Sequence, residues 1–189
     1  MLSSNTSFIS HLDACENKLS GEIMRRTAIG LFGFLVAFSA LSSAWLDDES
    51  VLKDVLATRE SIHQGVLALE QEPLHKNADS VRGLLMAHYK SVDYLICGDV
   101  LGPLSRTKTL EPVMFQIIIA SGDWVEANPD RAGDIDAYTL AGLESGVRTY
   151  RNVLKAKPRA KHKLMDDLLS LYESGELNQW NLAHPCRPI

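Results

Sequence analysis

The sequence predicts an all-α fold: a single-domain bundle of about five helices, with a coil C-terminal tail pinned to the bundle. Three observations predict it. Apolar residues recur at steps of three and four over long windows. Prolines and glycines punctuate the chain between those windows or at their first turn. No run alternates convincingly with the period of two that a half-buried strand requires.

The bundle is expected to begin after a targeting segment. Met24-Arg25-Arg26 is followed by the apolar run Thr27–Ala44, which ends in the small residues Ser42-Ser43-Ala44 before Trp45. A basic start, a short apolar stretch and small residues at the cut are the layout of a secretory signal peptide over 24–44, with cleavage expected between Ala44 and Trp45. The competing reading keeps 27–44 as a signal anchor, and then the membrane is met through those residues alone. Residues 1–23 are polar and aperiodic and push the apolar run far from Met1, so they read as a disordered over-extension with Met24 as the better start. Residues 45–189 then form one domain of about 145 residues, large enough for a proper core. Its expected place is the periplasm or the medium, or the outer side of the membrane if the anchor is kept.

With 46% hydrophobic and 23% charged residues the composition is that of an ordinary globular protein. Lys18, Arg25 and Arg26 balance Asp13, Glu16 and Glu22, so removing 1–44 leaves the net charge at −5. A mildly acidic domain is a poor neutraliser of phosphates, and neither nucleic-acid binding nor adhesion to anionic membranes is expected. Of the three cysteines, Cys15 precedes the signal, so in an oxidising compartment Cys97 and Cys186 are left to pair.

The elements follow in order. The first helix is expected over Trp45–Gln71, with Leu52, Val55, Leu56, Ile62, Val66 and Leu69 on one stripe and Arg59 beside it; Glu72-Pro73 stops it. The second spans Ala78 to Cys97, where Val81, Leu85, His88, Val92 and Leu95 form a heptad seam. Asn77 or Asp79 can cap it, and Gly98 with Gly102-Pro103 ends it, leaving 102–108 as a loop. Thr109 caps a third helix with Pro112 in its first turn. Val113–Ala120 is apolar on nearly every face except Gln116, which predicts a helix at the centre of the domain.

After Asn128-Pro129-Asp130 a fourth helix is expected over Arg131–Lys157. Its Gly142 and Gly146, four residues apart, strip side chains from one face and predict a close approach to the third helix. Arg159–Ser174 makes a fifth helix on Leu164, Leu168 and Leu171, closed by Gly175, and the tail with Trp180 and Cys186 reads as coil.

Chemistry is sparse. His88 lies on the apolar seam with Tyr89 and Asp93 beside it, which makes these three the candidate ligand-binding residues; the plainer reading is a core histidine with a hydrogen-bond partner. Glu60 and His63 have the Glu-x-x-His spacing of di-iron bundles, but the motif occurs once inside a helix where two copies are needed, so no metal is expected. The acidic stretch Asp123, Glu126, Asp130, Asp134, Asp136 lacks the spacing of a calcium loop and suits helix termini. There is no Gly-x-Ser-x-Gly, no glycine-rich phosphate loop and no Cys-x-x-Cys-His, so neither a catalytic residue nor a cofactor is expected. The function these features favour is binding: a protein-interaction, accessory, inhibitor or immunity-type role with a protein partner, and alternatively a small-molecule binder around His88, Tyr89 and Asp93.

Overall fold

Thr58 decides where the first well-formed helix begins. Its hydroxyl accepts from Ser61 N and its own N–H donates to Ser61 Oγ, both at 3.0 Å, a reciprocal capping box that opens α1 at Arg59–Gln71. A computed structural model of the chain describes residues 46–47 and 54–187. The segments 1–23 and 24–44 and the Ala44–Trp45 junction lie outside the described residues. Six further α-helices follow: α2 Ala78–Tyr89, α3 Gly98–Ser105, α4 Glu111–Ala127, α5 Ile135–Ala156, α6 Lys163–Ser174 and α7 Leu177–Ala183. Short 3₁₀ turns at Lys108–Leu110 and Pro129–Arg131 lead into α4 and toward α5. The fold is all-α, with no strand among the described residues, and these form a single domain.

The helix at the centre is α4, as its all-round apolar surface predicts. Ile117 and Ile118 join Leu143, Val147, Tyr150, Val153, Met165 and Leu168 in a core shared with α3, α5 and α6. Ile119 and Ala120, on the other side of the same helix, join Ile62, Val66, Leu69, Val81, Leu85 and Leu46 beneath α1 and α2. The amide nitrogen of buried Gln116 is fully used: Nε2 donates to Val66 O at 3.0 Å and to Ser145 Oγ at 2.9 Å. Ser145 donates to Glu70 at 2.6 Å, and Glu70 is forked by Arg148 at 2.7 and 2.9 Å. One polar chain thus ties α1, α4 and α5 together. Burial opposes the Arg148 charge, but bonds to Glu70 and Tyr172 outweigh it and hold the guanidinium proton above its ordinary range.

The glycine pair of α5 does what its spacing predicts. A Cβ on Gly142 would collide with Ser121 Oγ and stand 2.7 Å from the Ile117 carbonyl; one on Gly146 would run into Ile117 Cγ1. Gly175, at φ 78°, closes α6 in the left-handed region as expected. Asp134 caps α5 by accepting from Ala137 N at 3.1 Å.

Several boundaries differ from the sequence reading, among them the start of α5 at Ile135 rather than Arg131 and of α6 at Lys163 rather than Arg159. Leu56 is 38% exposed because residues 54–58 turn before the Thr58 cap instead of continuing a stripe. α2 stops at Tyr89: Ser91 Oγ takes the His88 carbonyl at 2.7 Å, and the chain then crosses α4 and α5, held by Tyr94 OH on Ile118 O and by Leu95 N on Tyr138 OH, both 3.1 Å. The heptad seam breaks there, and Leu95 is left exposed. Gly98 starts a helix rather than ending one, since burying Val100, Leu101 and Leu104 outweighs the poor helix propensity of Gly102 and Pro103. Asn77 spends its amide on Leu46 O instead of a cap, and Leu110, not Thr109, precedes α4. The expected coil tail contains α7, whose Leu177 and Asn181 are buried one turn apart, with Asn181 donating to Asp136 O at 2.9 Å.

Candidate functional site

Two of the three candidate ligand-binding residues lie in one polar cluster, and four residues from elsewhere complete it. Tyr89 is the anchor. Its ring lies against Gly122, where a Cβ would stand 2.6 Å from Tyr89 Cδ1, and this close approach lets the hydroxyl donate to Asp123 Oδ1 at 2.9 Å. Asp123, whose side chain is only 10% exposed, also meets Arg59 Nη1 at 2.6 Å and His63 Nδ1 at 2.8 Å. The same guanidinium donates through Nη2 to the Asp123 carbonyl at 2.7 Å and stands 3.4 Å from Glu126. Glu126 in turn meets His88 Nε2 at 2.6 Å. His88 packs edge-on against Tyr89, with ring centroids 4.9 Å apart.

Local helical geometry explains why these six converge. Arg59 and His63 are four apart on α1, and Asp123 and Glu126 are three apart on α4, so each pair shares a face. His88 and Tyr89 end α2 beside them. Arg59, read as a side chain lying along the apolar stripe, instead folds its head onto two carboxylates. Burial first, then the Asp123 carboxylate, push the Tyr89 phenol far above its ordinary value, so it stays a neutral donor.

Asp93 does not belong to this cluster: it is exposed and joins none of its hydrogen bonds. Glu60 is separate too, accepting from Gln64 at 2.7 Å while its motif partner His63 turns to Asp123. Among the described residues no three His, Cys, Asp or Glu side chains are arranged to hold a metal ion. The remaining acids of the stretch behave as helix-terminal residues. Asp134 pairs with Arg131 at 2.7 Å, and that bond and the Ala137 N–H hold its carboxyl below the usual range.

Cys97 and Cys186 form the expected disulfide, with Cα atoms 5.0 Å apart. The bridge fastens the tail after α7 to the start of α3, and Gly98 N donates to Arg187 O at 2.8 Å beside it. Two spaces flank it. One, of about 20 Å³, is lined by Tyr94, Ile96, Val100, Ile118 and Leu143; the other is a cleft of about 240 Å³ bordered by Leu164, Trp180, Asn181, His184, Asp99 and Arg187. Trp180 and His184 stack at 4.3 Å on its rim. A third, shallower groove lies between the α1–α2 loop and the start of α4. None of the three is lined by His88, Tyr89 or Asp93.

The cluster's contacts are mostly internal, although Arg59 Nε and Nη1 and Glu126 Oε2 are buried in ion pairs without a hydrogen-bond partner. Asp123 is engaged by three side chains and Glu126 by two, which makes it a fastening between α1, α2 and α4. Among the described residues no helix is long and apolar enough to cross a membrane. No protein-family model, curated protein or solved structure matches the chain.

Proposed function

We propose that the domain works outside the cytoplasm as a binding protein of accessory, inhibitor or immunity type, and that its partner is a protein held at the end around the disulfide. The observation that carries the reading is a set of exposed apolar side chains there: Leu95, Ile135 and Leu182, at 40%, 36% and 56%. They belong together because Leu95 N–H donates to Tyr138 and Asn181 donates to the Asp136 carbonyl, tying both flanking segments to the first turn of α5. Exposed apolar groups on segments tied to one helix turn, beside a cleft that can take a partner's side chain, are what a protein interface uses. The disulfide supports an oxidising compartment, where such a bridge persists.

Binding is preferred to catalysis because the carboxylates nearest the histidines are already committed to Arg59, Tyr89 and each other's neighbours. A small molecule remains the alternative, and the cleft beside Trp180 offers it more room than His88 and Tyr89 do. A photo-crosslinking residue placed at Leu95 or Leu182 in the native envelope should give one discrete adduct, lost when Ile135→Asp is added. Adducts that form equally from Lys90 or from Lys161 would sink the reading. A bound small species in the native mass spectrum, removed by Trp180→Ala, would favour the alternative.

A further inference from the structure

The net charge of −5 conceals a separation of charge along the bundle. Between Arg151 and Lys163 every ionised side chain is a cation: Arg151, Lys155, Lys157, Arg159, Lys161 and Lys163. Of these Lys155, Lys157, Arg159, Lys161 and Lys163 are exposed on the C-terminal end of α5, the turn that follows and the first residue of α6. Among the described residues no carboxylate lies within ion-pair distance of Lys157, Arg159 or Lys161, whereas Lys163 pairs with Asp167 at 2.6 Å and Arg151 with Glu173 at 3.1 Å. The N-terminal end of α5 is the reverse: Asp130, Asp134 and Asp136 face a single Arg131 in that stretch. Twenty-two helical residues separate the two ends, which is about 33 Å and several Debye lengths at physiological salt, so the acids do not cancel the cations.

The chain enters the domain at the basic end. Leu46 O accepts from Asn77 at 2.8 Å, and Asp47 meets Lys76 at 2.8 Å and His75 at 3.4 Å, all in the α1–α2 loop. That loop and Lys157 line one groove at this end, together with Asp79, Lys108 and Glu111. The apolar run Thr27–Ala44 stops two residues before Leu46 in the sequence.

We propose that the basic end is a membrane-docking face, resting on anionic phospholipid headgroups. Phosphates at a lipid surface supply the countercharge that Lys157, Arg159 and Lys161 lack, and polybasic segments beside an apolar membrane-directed run are drawn to such surfaces. An acidic protein or a nucleic acid also offers countercharge, but neither accounts for the cations gathering at the end where Leu46 is held, two residues after the apolar run that directs the chain to a membrane. The docking face is the opposite end of α5 from Leu95, Ile135 and Leu182, so the two assignments stand or fall separately.

The test is co-sedimentation of the full chain with vesicles of phosphatidylcholine alone and with added phosphatidylglycerol. The apolar run contributes equally to both, and Arg25 and Arg26 beside it are common to every variant, so the change of ratio on substitution isolates the basic face. The expected ratio exceeds about tenfold at low salt and falls toward unity at about 0.5 M salt. Each of Lys157→Gln, Arg159→Gln and Lys161→Gln should lower it by about fivefold until it reaches unity. These side chains are exposed, and an unchanged circular dichroism spectrum checks the fold. Lys155→Gln with Lys163→Gln serves as a second variant set, and Lys90→Gln, at the far end of α2, should leave the ratio unchanged. Equal sedimentation on both vesicles overturns the proposal. So does a triple variant that keeps the full ratio, or retention by a DNA duplex with none by phosphatidylglycerol.

Discussion

Replacing Gly142 by alanine tests the packing on which the whole bundle rests. A Cβ there has no space: it meets Ser121 Oγ and stands 2.7 Å from the backbone carbonyl of Ile117, which cannot rotate aside. Overpacking of a dense core costs about 1–3 kcal/mol. Ser121, displaced from its 2.9 Å bond to Ile117 O, forfeits about 1 kcal/mol more. Against this, alanine improves helix propensity by about 1 kcal/mol. The net expectation is a loss of about 2 kcal/mol, or roughly 6 °C in Tm for a domain of this size. Gly83 supplies the matched control, because it lies inside α2 with nothing within 4 Å of an added Cβ. Gly83→Ala should therefore gain up to about 1 kcal/mol. Urea unfolding of both variants reads the difference. If the two substitutions stabilise alike, α4 and α5 do not approach as closely as described and the reasoning is refuted.

Three further outcomes follow from the same contacts. Reducing the disulfide, or replacing Cys97 and Cys186 by alanine, frees a loop of 89 residues' separation and should cost about 4 kcal/mol on the chain-entropy account; an unchanged urea midpoint contradicts it. Asp123→Asn leaves Arg59 and His63 without their carboxylate and should cost about 2 kcal/mol, less than for a fully buried pair because Arg59 is partly solvated. The same change removes one of the causes raising the Tyr89 phenol, so that phenol should titrate earlier in an alkaline absorbance titration; no movement would remove Asp123 from its surroundings. Burial, then the bond to Asp166, push the Tyr150 phenol up to about 12 from 10.0. Its folded value lies above its unfolded one, so its contribution is complete below about pH 10 and is lost as pH rises through about 12. Tyr150→Phe should accordingly show its destabilisation at neutral pH and converge with the parent at the alkaline end; parallel curves throughout refute the assignment.

Much of the fold can be read from short-range pattern, and the exceptions share a cause. The apolar surface of Val113–Ala120 places α4 at the centre, and the spacing of Gly142 and Gly146 gives the close approach, because both are properties of one helix face. The end of α2 is not such a property. The heptad continues to Leu95, yet tethers from Tyr94 to Ile118 and from Leu95 to Tyr138 pull the segment across other helices toward the disulfide. A period in one segment carries no information about a hydrogen bond 43 residues away. The polar cluster follows the same rule. His88 and Tyr89 stand out because they interrupt or flank an apolar seam, but their partners Glu126 and Asp123 are 38 and 34 residues distant. Helical spacing groups Asp93 with them, and that spacing vanishes once the helix ends at Tyr89. The basic face is hidden for a different reason: a chain-wide net charge averages Lys155–Lys163 against acids at the other end of α5.

The proposal that the domain is exported, and closed by one disulfide, is tested most directly by the intact mass of the protein from the native envelope, before and after reduction and alkylation. The account predicts a chain beginning at Trp45, two hydrogens lighter than its reduced form, with Cys97 and Cys186 alkylated only after reduction. A chain that keeps residues 27–44 but holds the bridge makes the domain tethered, still outside. A cytosolic chain whose Cys97 and Cys186 are both alkylated without reductant contradicts the account.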